Sequence, residues 1–154
     1  MYKKEISREL VLSFLEEVDR SFPVPLSHKQ NLENLADKFI ENATICAEIE
    51  NNEICSMVVG YTNNVVNHMA YISVVATRHE YQGQGRALKL VREFSEIALA
   101  EGLTAVHLYS DSRNETAIRM YERIGFERYV VPNEPRPKDA HLILKLNNSG
   151  REEQ

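Results

Sequence analysis

Tyr81-Gln82-Gly83-Gln84-Gly85-Arg86-Ala87 decides how this chain is read. The run before it, Met69 to Thr77, carries Ile72, Val74 and Val75 without a breaker and is predicted to be a strand. The run after it, Arg86 to Glu101, repeats Leu88, Val91, Phe94, Ile97, Ala98 and Leu99 at helical spacing and stops at Gly102. A glycine-rich turn between a strand and a helix has a defined physical use. Gly83 and Gly85 permit backbone dihedrals closed to other residues and let a ligand approach the main chain. The unpaired amides of the first helical turn then face that ligand, with the positive end of the helix dipole behind them. Such a turn suits a diphosphate.

Two familiar phosphate loops do not fit. A Walker A loop closes on G-K-[ST], whereas Gly85 is followed by Arg86 and Ala87. A dinucleotide fingerprint needs a third Gly or Ala where Leu88 stands, and an acidic residue about 20 residues on. The next predicted strand, Thr104 to Ser110, carries His107, Tyr109 and Ser110 instead.

The remaining elements follow outward from the loop. Upstream, Ser7 is read as the cap of a helix with Leu10, Val11, Phe14, Leu15 and Val18 on one face. Ser27 is read as the cap of a second helix with Leu32, Leu35, Ala36, Phe39, Ile40 and Ala43. Pro23 and Pro25 keep the segment between them out of a helix. Thr44 to Glu50 and Glu53 to Tyr61 flank Asn51-Asn52 and predict a hairpin. Asn63-Asn64 and Asn67-His68 are read as a further turn. Downstream, Asn114 to Ile124 is predicted helical up to Gly125. Phe126 to Val131 and His141 to Leu146 form a last antiparallel pair around a loop with Pro132, Pro135 and Pro137. Hairpins combined with one strand–helix–strand unit call for an α/β (α+β) fold: a mixed sheet with helices on its faces. Residues 1–147 make a single domain, and residues 148–154 a polar tail.

Composition narrows the function. A net charge of -5 argues against a nucleic-acid partner. No apolar run approaches the roughly 20 residues a membrane span requires, and the first residues lack a signal-peptide core. The expected compartment is the cytoplasm, with Cys46 and Cys55 as buried thiols. The histidines do not cluster: His28 and His141 read as solvent-facing or strand-edge residues, His68 as turn and His79 as loop. No metal site is expected.

Gln82-x-x-Gly85-x-Ala87 resembles the Q/R-x-x-G-x-G/A pyrophosphate loop of the GNAT superfamily of acyl-CoA N-acyltransferases. The resemblance includes Tyr71-Ile72-Ser73-Val74-Val75-Ala76-Thr77 upstream and Asn114-x-x-Ala117-Ile118-x-x-Tyr121-Glu122-x-x-Gly125-Phe126 downstream, in the superfamily's order and spacing. It implies a mostly antiparallel sheet of six to seven strands with a V-shaped splay between two parallel ones. It also implies acetyl-CoA as cosubstrate, with its acetyl group passed directly to an amine. By position, Val75, Ala76 and Thr77 would offer main-chain groups to the pantetheine, with an amide near Val75 polarising the thioester carbonyl. Gln82, Gly83, Gln84, Gly85, Arg86, Ala87 and Leu88 would hold the pyrophosphate, and Asn114 would bond the pantetheine or cap its helix. Tyr121 would be the general acid toward the departing thiolate.

The sequence departs from the family's pattern in two places. The frequent glutamate near the end of the strand after the main helix is replaced by Tyr109, so no base is assigned, with His107, Asp111 and a water chain as options. The usual first strand is reduced to the few residues before Ser7, so the sheet either lacks a full edge strand or gains a stub from residues 1–5. The acceptor, a small-molecule or peptide amine, is not specified, although the segments 22–27 and 132–140 with Arg136 and Lys138 are expected to shape its site. A homodimer is compatible with this reading. The competing reading is an acyl-CoA-binding sensor or scaffold of the same fold without turnover.

Overall fold

The computed structural model describes residues 6–22 and 24–146, without the side chains of residues 64–66. The helices are α1 (Arg8–Val18), α2 (Leu32–Asn42), α3 (Arg86–Ala100) and α4 (Glu115–Ile124). The strands are β1 (Thr44–Glu50), β2 (Glu53–Val66), β3 (Met69–Thr77), β4 (Ala105–Asp111), β5 (Glu127–Arg128) and β6 (Asp139–Lys145). They form one six-stranded sheet in the order β1-β2-β3-β4-β6-β5. Each neighbouring pair is antiparallel except β3 and β4, which run parallel. The parallel pair follows from α3: a strand that leads into a helix returns to the sheet in the same direction.

Two apolar layers sandwich the sheet. On one face α1 and α2 bury Val11, Phe14, Leu15, Leu35 and Phe39 against Ile45, Met57, Val59 and Val74. On the other, Leu90, Val91 and Phe94 of α3 and Tyr121 of α4 meet Val58, Ile72, Leu108 and Leu142. Because side chains alternate along a strand, His107 and Tyr109 of β4 and His141 of β6 stand on the first face. Their strand neighbours Val106, Leu108 and Leu142 belong to the second core.

Several local expectations are corrected. Ser27 does not cap α2. Asn31, directly before the first helical residue, accepts from the amides of Glu33 at 2.8 Å and Asn34 at 3.1 Å. Ser27 instead donates its hydroxyl to Asp19 at 2.6 Å and pins the turn at Leu26–His28. Asn63-Asn64 is not a turn: β2 continues to Val66, and the reversal falls on Asn67 and His68, both at φ 59. Asn63 donates to the carbonyl of Asn42 at 3.0 Å, which serves the C-terminal end of α2 and holds that length of strand. The last pair is shorter than its apolar pattern suggests, since β5 retains only Glu127 and Arg128. Ser7 does cap α1, accepting from Leu10 at 3.2 Å, and Asn51-Asn52 makes the first hairpin with φ of 53 and 63. The stub at 1–5 and the tail at 148–154 lie outside the described residues.

One irregularity positions the site. In the β2–β3 register Val59 faces Val74 and Gly60 faces Ile72, so Ser73 is an extra residue. The bulge moves Val74 into the α1–α2 core while Val75 packs toward α3. Gly60 is required there: a Cβ would lie 2.5 Å from the Phe94 ring and 2.6 Å from the carbonyl oxygen of Tyr71. Gly60→Ala is therefore expected to cost about 1–3 kcal/mol through overpacking, seen as a lower urea midpoint. An unchanged midpoint would mean that the bulge accommodates a methyl group.

Candidate active site at the splayed strands

β3 and β4 pair only from Met69↔Ala105 to Ile72↔Leu108. Beyond that point β3 keeps its bonds to β2 as far as Thr77, and β4 keeps its bonds to β6 as far as Asp111. The two strands therefore diverge, and Val75, Ala76 and Thr77 border the gap with no sheet partner on that side among the described residues. Unpaired main-chain groups need a partner from solvent or a ligand.

Arg78 fixes the chain as it leaves β3. It is buried at 4% exposure. Its Nε donates to the carbonyl of Ile54 at 2.7 Å, and its guanidinium pairs with Glu17 at 3.2 Å. A short turn at His79–Tyr81 follows, and Gln82 donates its side-chain amide back to the carbonyl of Thr77 at 3.1 Å.

Gly83 and Gly85 both adopt φ 77, and the space a Cβ would enter is empty to 4 Å at each. Gly85 begins α3 without any side-chain cap. The first-turn amides of Arg86, Ala87 and Leu88 thus lack the partner that Ser7, Asn31 and Asn114 give the other helices. The Arg86 side chain is engaged elsewhere. It reaches Gln84 at 3.0 Å, Glu48 at 3.1 Å and Glu50 at 2.6 Å, and lies 4.9 Å over the ring of Tyr81. Lys89 also pairs with Glu48, at 2.9 Å. Of the residues assigned to this loop, Gln82, Gln84 and Arg86 brace its shape with their side chains, and Gly83 to Leu88 present main chain. An anion here meets amides and a helix dipole, which suits a diphosphate.

Across the gap, Asn114 caps α4, accepting from the amide of Ala117 at 3.1 Å. Tyr121 stands two turns on and is 6% exposed, with its ring 5.5 Å from Phe126 in an edge-on arrangement. Burial pushes the phenol well above its ordinary pKa, so it holds its proton. Its hydroxyl makes no hydrogen bond to the described residues, and it is not one of the sealed, unpartnered polar atoms.

The open half of the α1–α2 face carries a polar cluster that sequence reasoning missed. His141 is not a solvent-facing residue; it is 8% exposed. Its Nε2 meets Nδ1 of His107 at 2.9 Å, and its Nδ1 meets Glu134 at 2.7 Å. Tyr109 donates to the other oxygen of Glu134 at 2.6 Å and stacks on His141 at 4.2 Å. Arg136 lies 4.8 Å over the Tyr109 ring. Burial lowers the pKa of His107 and, with the Glu134 contact, raises that of Tyr109 to about 12. The bond from Tyr109 holds Glu134 low and therefore ionised. Lys138 offers only its carbonyl here, to the Ser112 hydroxyl at 2.6 Å. Asp111 is tied to Arg113 at 2.8 Å, which holds its carboxyl at about 2 and makes it a poor base. Among the described residues no group of three or more His, Cys, Asp or Glu could hold a metal ion. Cys46 and Cys55 are free and buried. No helix among the described residues is long and apolar enough to cross a membrane.

The splayed parallel pair and the glycine turn that opens α3 are the features that the family resemblance implies. The family model of the acetyltransferase (GNAT) family matches residues 11–126, and the chain belongs to that family. It is 39% identical over 59 residues to N-alpha-acetyltransferase 30 of Schizosaccharomyces pombe, a match covering 38% of this chain and 39% of that relative's own length. Among solved structures it resembles the PaiA N-acetyltransferase of Thermoplasma acidophilum in complex with coenzyme A. The TM-score is 0.73 at 14% identity, over 92% of this chain and 96% of that one. It also resembles yncA of Salmonella typhimurium, solved with its cofactor acetyl-CoA. There the TM-score is 0.70 at 14% identity, over 92% and 91% of the two chains.

The cluster makes stability depend on pH. Below the ordinary histidine value of 6.5, an unfolded chain protonates His107 while the folded protein, with its lowered value, resists. The unfolded state then binds more protons, so stability falls as pH drops below that value. Glu134, with its value lowered from 4.5, adds a further loss below that pH. The melting temperature is expected to fall between pH 7 and pH 5, and less steeply in His107→Gln. Parallel curves for the two proteins would remove His107 from this account.

Proposed function

We propose that this chain transfers the acetyl group of acetyl-CoA to a primary amine on a small molecule or peptide, by direct attack with both substrates bound. The observation that carries the reading is the gap between β3 and β4, bordered by unpaired main chain and ending at an uncapped, glycine-led helix. Acetyl-CoA would supply an activated acyl group as a thioester. The loop and first-turn amides from Gly83 to Leu88 would bind its diphosphate, where two absent side chains leave room. Val75 to Thr77 would present carbonyls and amides to the extended arm, and an amide near Val75 would polarise the acyl carbonyl. The side-chain nitrogen of Asn114, whose oxygen is committed to the helix cap, is available to the same arm. Tyr121 would hold a proton for the leaving sulfur. The relative carrying the name N-alpha-acetyltransferase makes peptide α-amines the first acceptors to test.

Coenzyme A is expected to raise the melting temperature, because a ligand that binds only the folded state stabilises it. Gly85→Glu is expected to abolish that rise in a folded protein. Glutamate at φ 77 costs about 1–2 kcal/mol of backbone strain, but no neighbour obstructs the side chain. Its carboxylate would stand where the diphosphate must approach. A full coenzyme A response in folded Gly85→Glu, or a larger response to ATP than to coenzyme A in the unmodified protein, would place the phosphates elsewhere.

Tyr121→Phe is expected to lower kcat by about 10-fold or more with little change in acetyl-CoA affinity, since the ring still fills its place. Steady-state rates with an accepted amine and calorimetry with acetyl-CoA check this. Unchanged kcat would reduce Tyr121 to packing.

A further inference from the structure

In the polar cluster on the open half of the α1–α2 face, a continuous chain of hydrogen-bond contacts runs from Glu134 through His141 to His107. Ionised Glu134 has no proton, so it accepts from Nδ1–H of His141 at 2.7 Å. With a single proton on His141, placed at Nδ1 toward Glu134, its Nε2 carries the lone pair. In that arrangement the contact of this atom with Nδ1 of His107, at 2.9 Å, takes its proton from His107. His107 is thereby held as the Nδ1–H tautomer, with its lone pair on Nε2. Burial lowers the pKa of His107, which disfavours a second proton on that ring.

The location suits a proton acceptor. His107 pairs with Tyr71 one step before the last parallel contact, so it stands at the apex of the divergence. It occupies the sheet face opposite Tyr121. Its partner His141 borders, with Tyr129, Val131, Glu134 and Pro137, an open cleft of about 280 Å³ at the loop that joins β5 to β6. The charged and titratable groups around the two imidazoles are Tyr71 on β3, Tyr109 on β4, Tyr129 after β5, Glu134 and Arg136 ahead of β6, and Asp139 at its start. Arg136 pairs with Asp139 at 2.8 Å, which leaves Glu134 as the carboxylate that directly meets the pair.

We propose that Nε2 of His107 takes the proton from the incoming ammonium group, and that His141 and Glu134 are positioning residues that hold its tautomer and stabilise the imidazolium. This rests on the acetyl-transfer reading. The acceptor R–NH3+ gives one proton to Nε2 of His107 and attacks as the neutral amine. The new N–C bond forms, the C–S bond breaks, and the electron pair leaves on sulfur, which takes the proton of Tyr121. The second amine proton passes to solvent, solvent returns a proton to Tyr121, and His107 releases its own proton to solvent before the next turnover. The carboxylate that this family often carries on β4 would here be delivered from the β5–β6 loop through two imidazoles.

The test uses the full chain, acetyl-CoA, and a panel of alanine- and methionine-initiated tetrapeptides, spermidine and glucosamine. In nitrogen-15 correlation spectra of the free protein, His107 is expected to show a protonated Nδ1 and a bare Nε2. The opposite tautomer overturns the proposal. With an accepted amine, kcat/KM should rise with pH along a limb set by His107. Glu134→Gln removes the charge that favours the imidazolium, so that limb should move to lower pH by about one unit, with a rate reduced about 10-fold. His107→Gln should lower kcat/KM by about 10²-fold while retaining the coenzyme A effect on melting temperature. An unmoved limb in Glu134→Gln together with near-normal rates in His107→Gln overturns the relay alone. Coenzyme A binding with no turnover of any amine overturns the acetyl-transfer reading, and the relay with it.

Discussion

β3 gives up its hydrogen bonds to β4 after Ile72 while keeping those to β2, and the arrangement of the site depends on that divergence. A strand cannot leave its neighbour freely, because each unpaired amide or carbonyl needs another partner. Three local features maintain the separation. The extra residue at Ser73 turns Val74 into the α1–α2 core, so the far end of β3 is held by apolar packing. Arg78, buried and bonded to the carbonyl of Ile54 and to Glu17, fastens the end of β3 to β2 and α1. On the other side, β4 is carried by its full-length pairing with β6. The gap is therefore maintained by the protein, and a ligand entering it need not open it.

The same geometry would let an acidic chain receive a polyanion. The net charge is -5, and the cations nearest the glycine loop are already paired: Arg86 with Glu48 and Glu50, Lys89 with Glu48. Those pairs join the start of α3 to β1 and fix its direction. What remains for an anion is a set of amides backed by the helix dipole, brought close by two glycines at φ 77. Recognition by amides depends on backbone placement, so it demands the bracing that Arg86, Gln84 and Gln82 provide.

The fold was largely legible because its signals are local. Glycines between a strand pattern and a helix pattern, caps at Ser7 and Asn114, and Asn51-Asn52 between two β-rich runs each act within a few residues. Errors arose where local chemistry offers equivalent choices. Ser27 and Asn31 are both acceptable caps, and only the contact to Asp19 shows that Ser27 is engaged elsewhere. Asn63-Asn64 has turn composition, yet Asn63 is held in the strand by its bond to the end of α2. The polar cluster was illegible for a different reason. Its members come from β4, β6 and a proline-rich loop, and they meet only because Tyr109 lies opposite His141 in the β4–β6 register. No spacing in the chain encodes that pairing. The replacement of a carboxylate by Tyr109 was visible, but the carboxylate that Tyr109 reaches, Glu134, was not.

The placement of Tyr121 and His107 has a consequence for the proposed chemistry. An acid and a base that both serve near neutral pH must not exchange protons with each other, and each must hold the neutral form at the start of the reaction. Burial achieves both here, because it disfavours charge on either group. It raises the pKa of the Tyr121 phenol and lowers that of the His107 imidazole, so one keeps its proton and the other keeps its lone pair. The sheet then separates them: Tyr121 packs with Ile72 and Leu108 on the α3–α4 side, and His107 stands on the opposite side beside Tyr71. The gap that opens beyond Ile72 and Leu108 joins the two sides at the level of these residues. A reacting carbon held in that gap would meet the amine from one face of the sheet and the acid at sulfur from the other. Divergence of the two strands would thus fix both the binding of the acyl donor and the order of the groups along the reaction path.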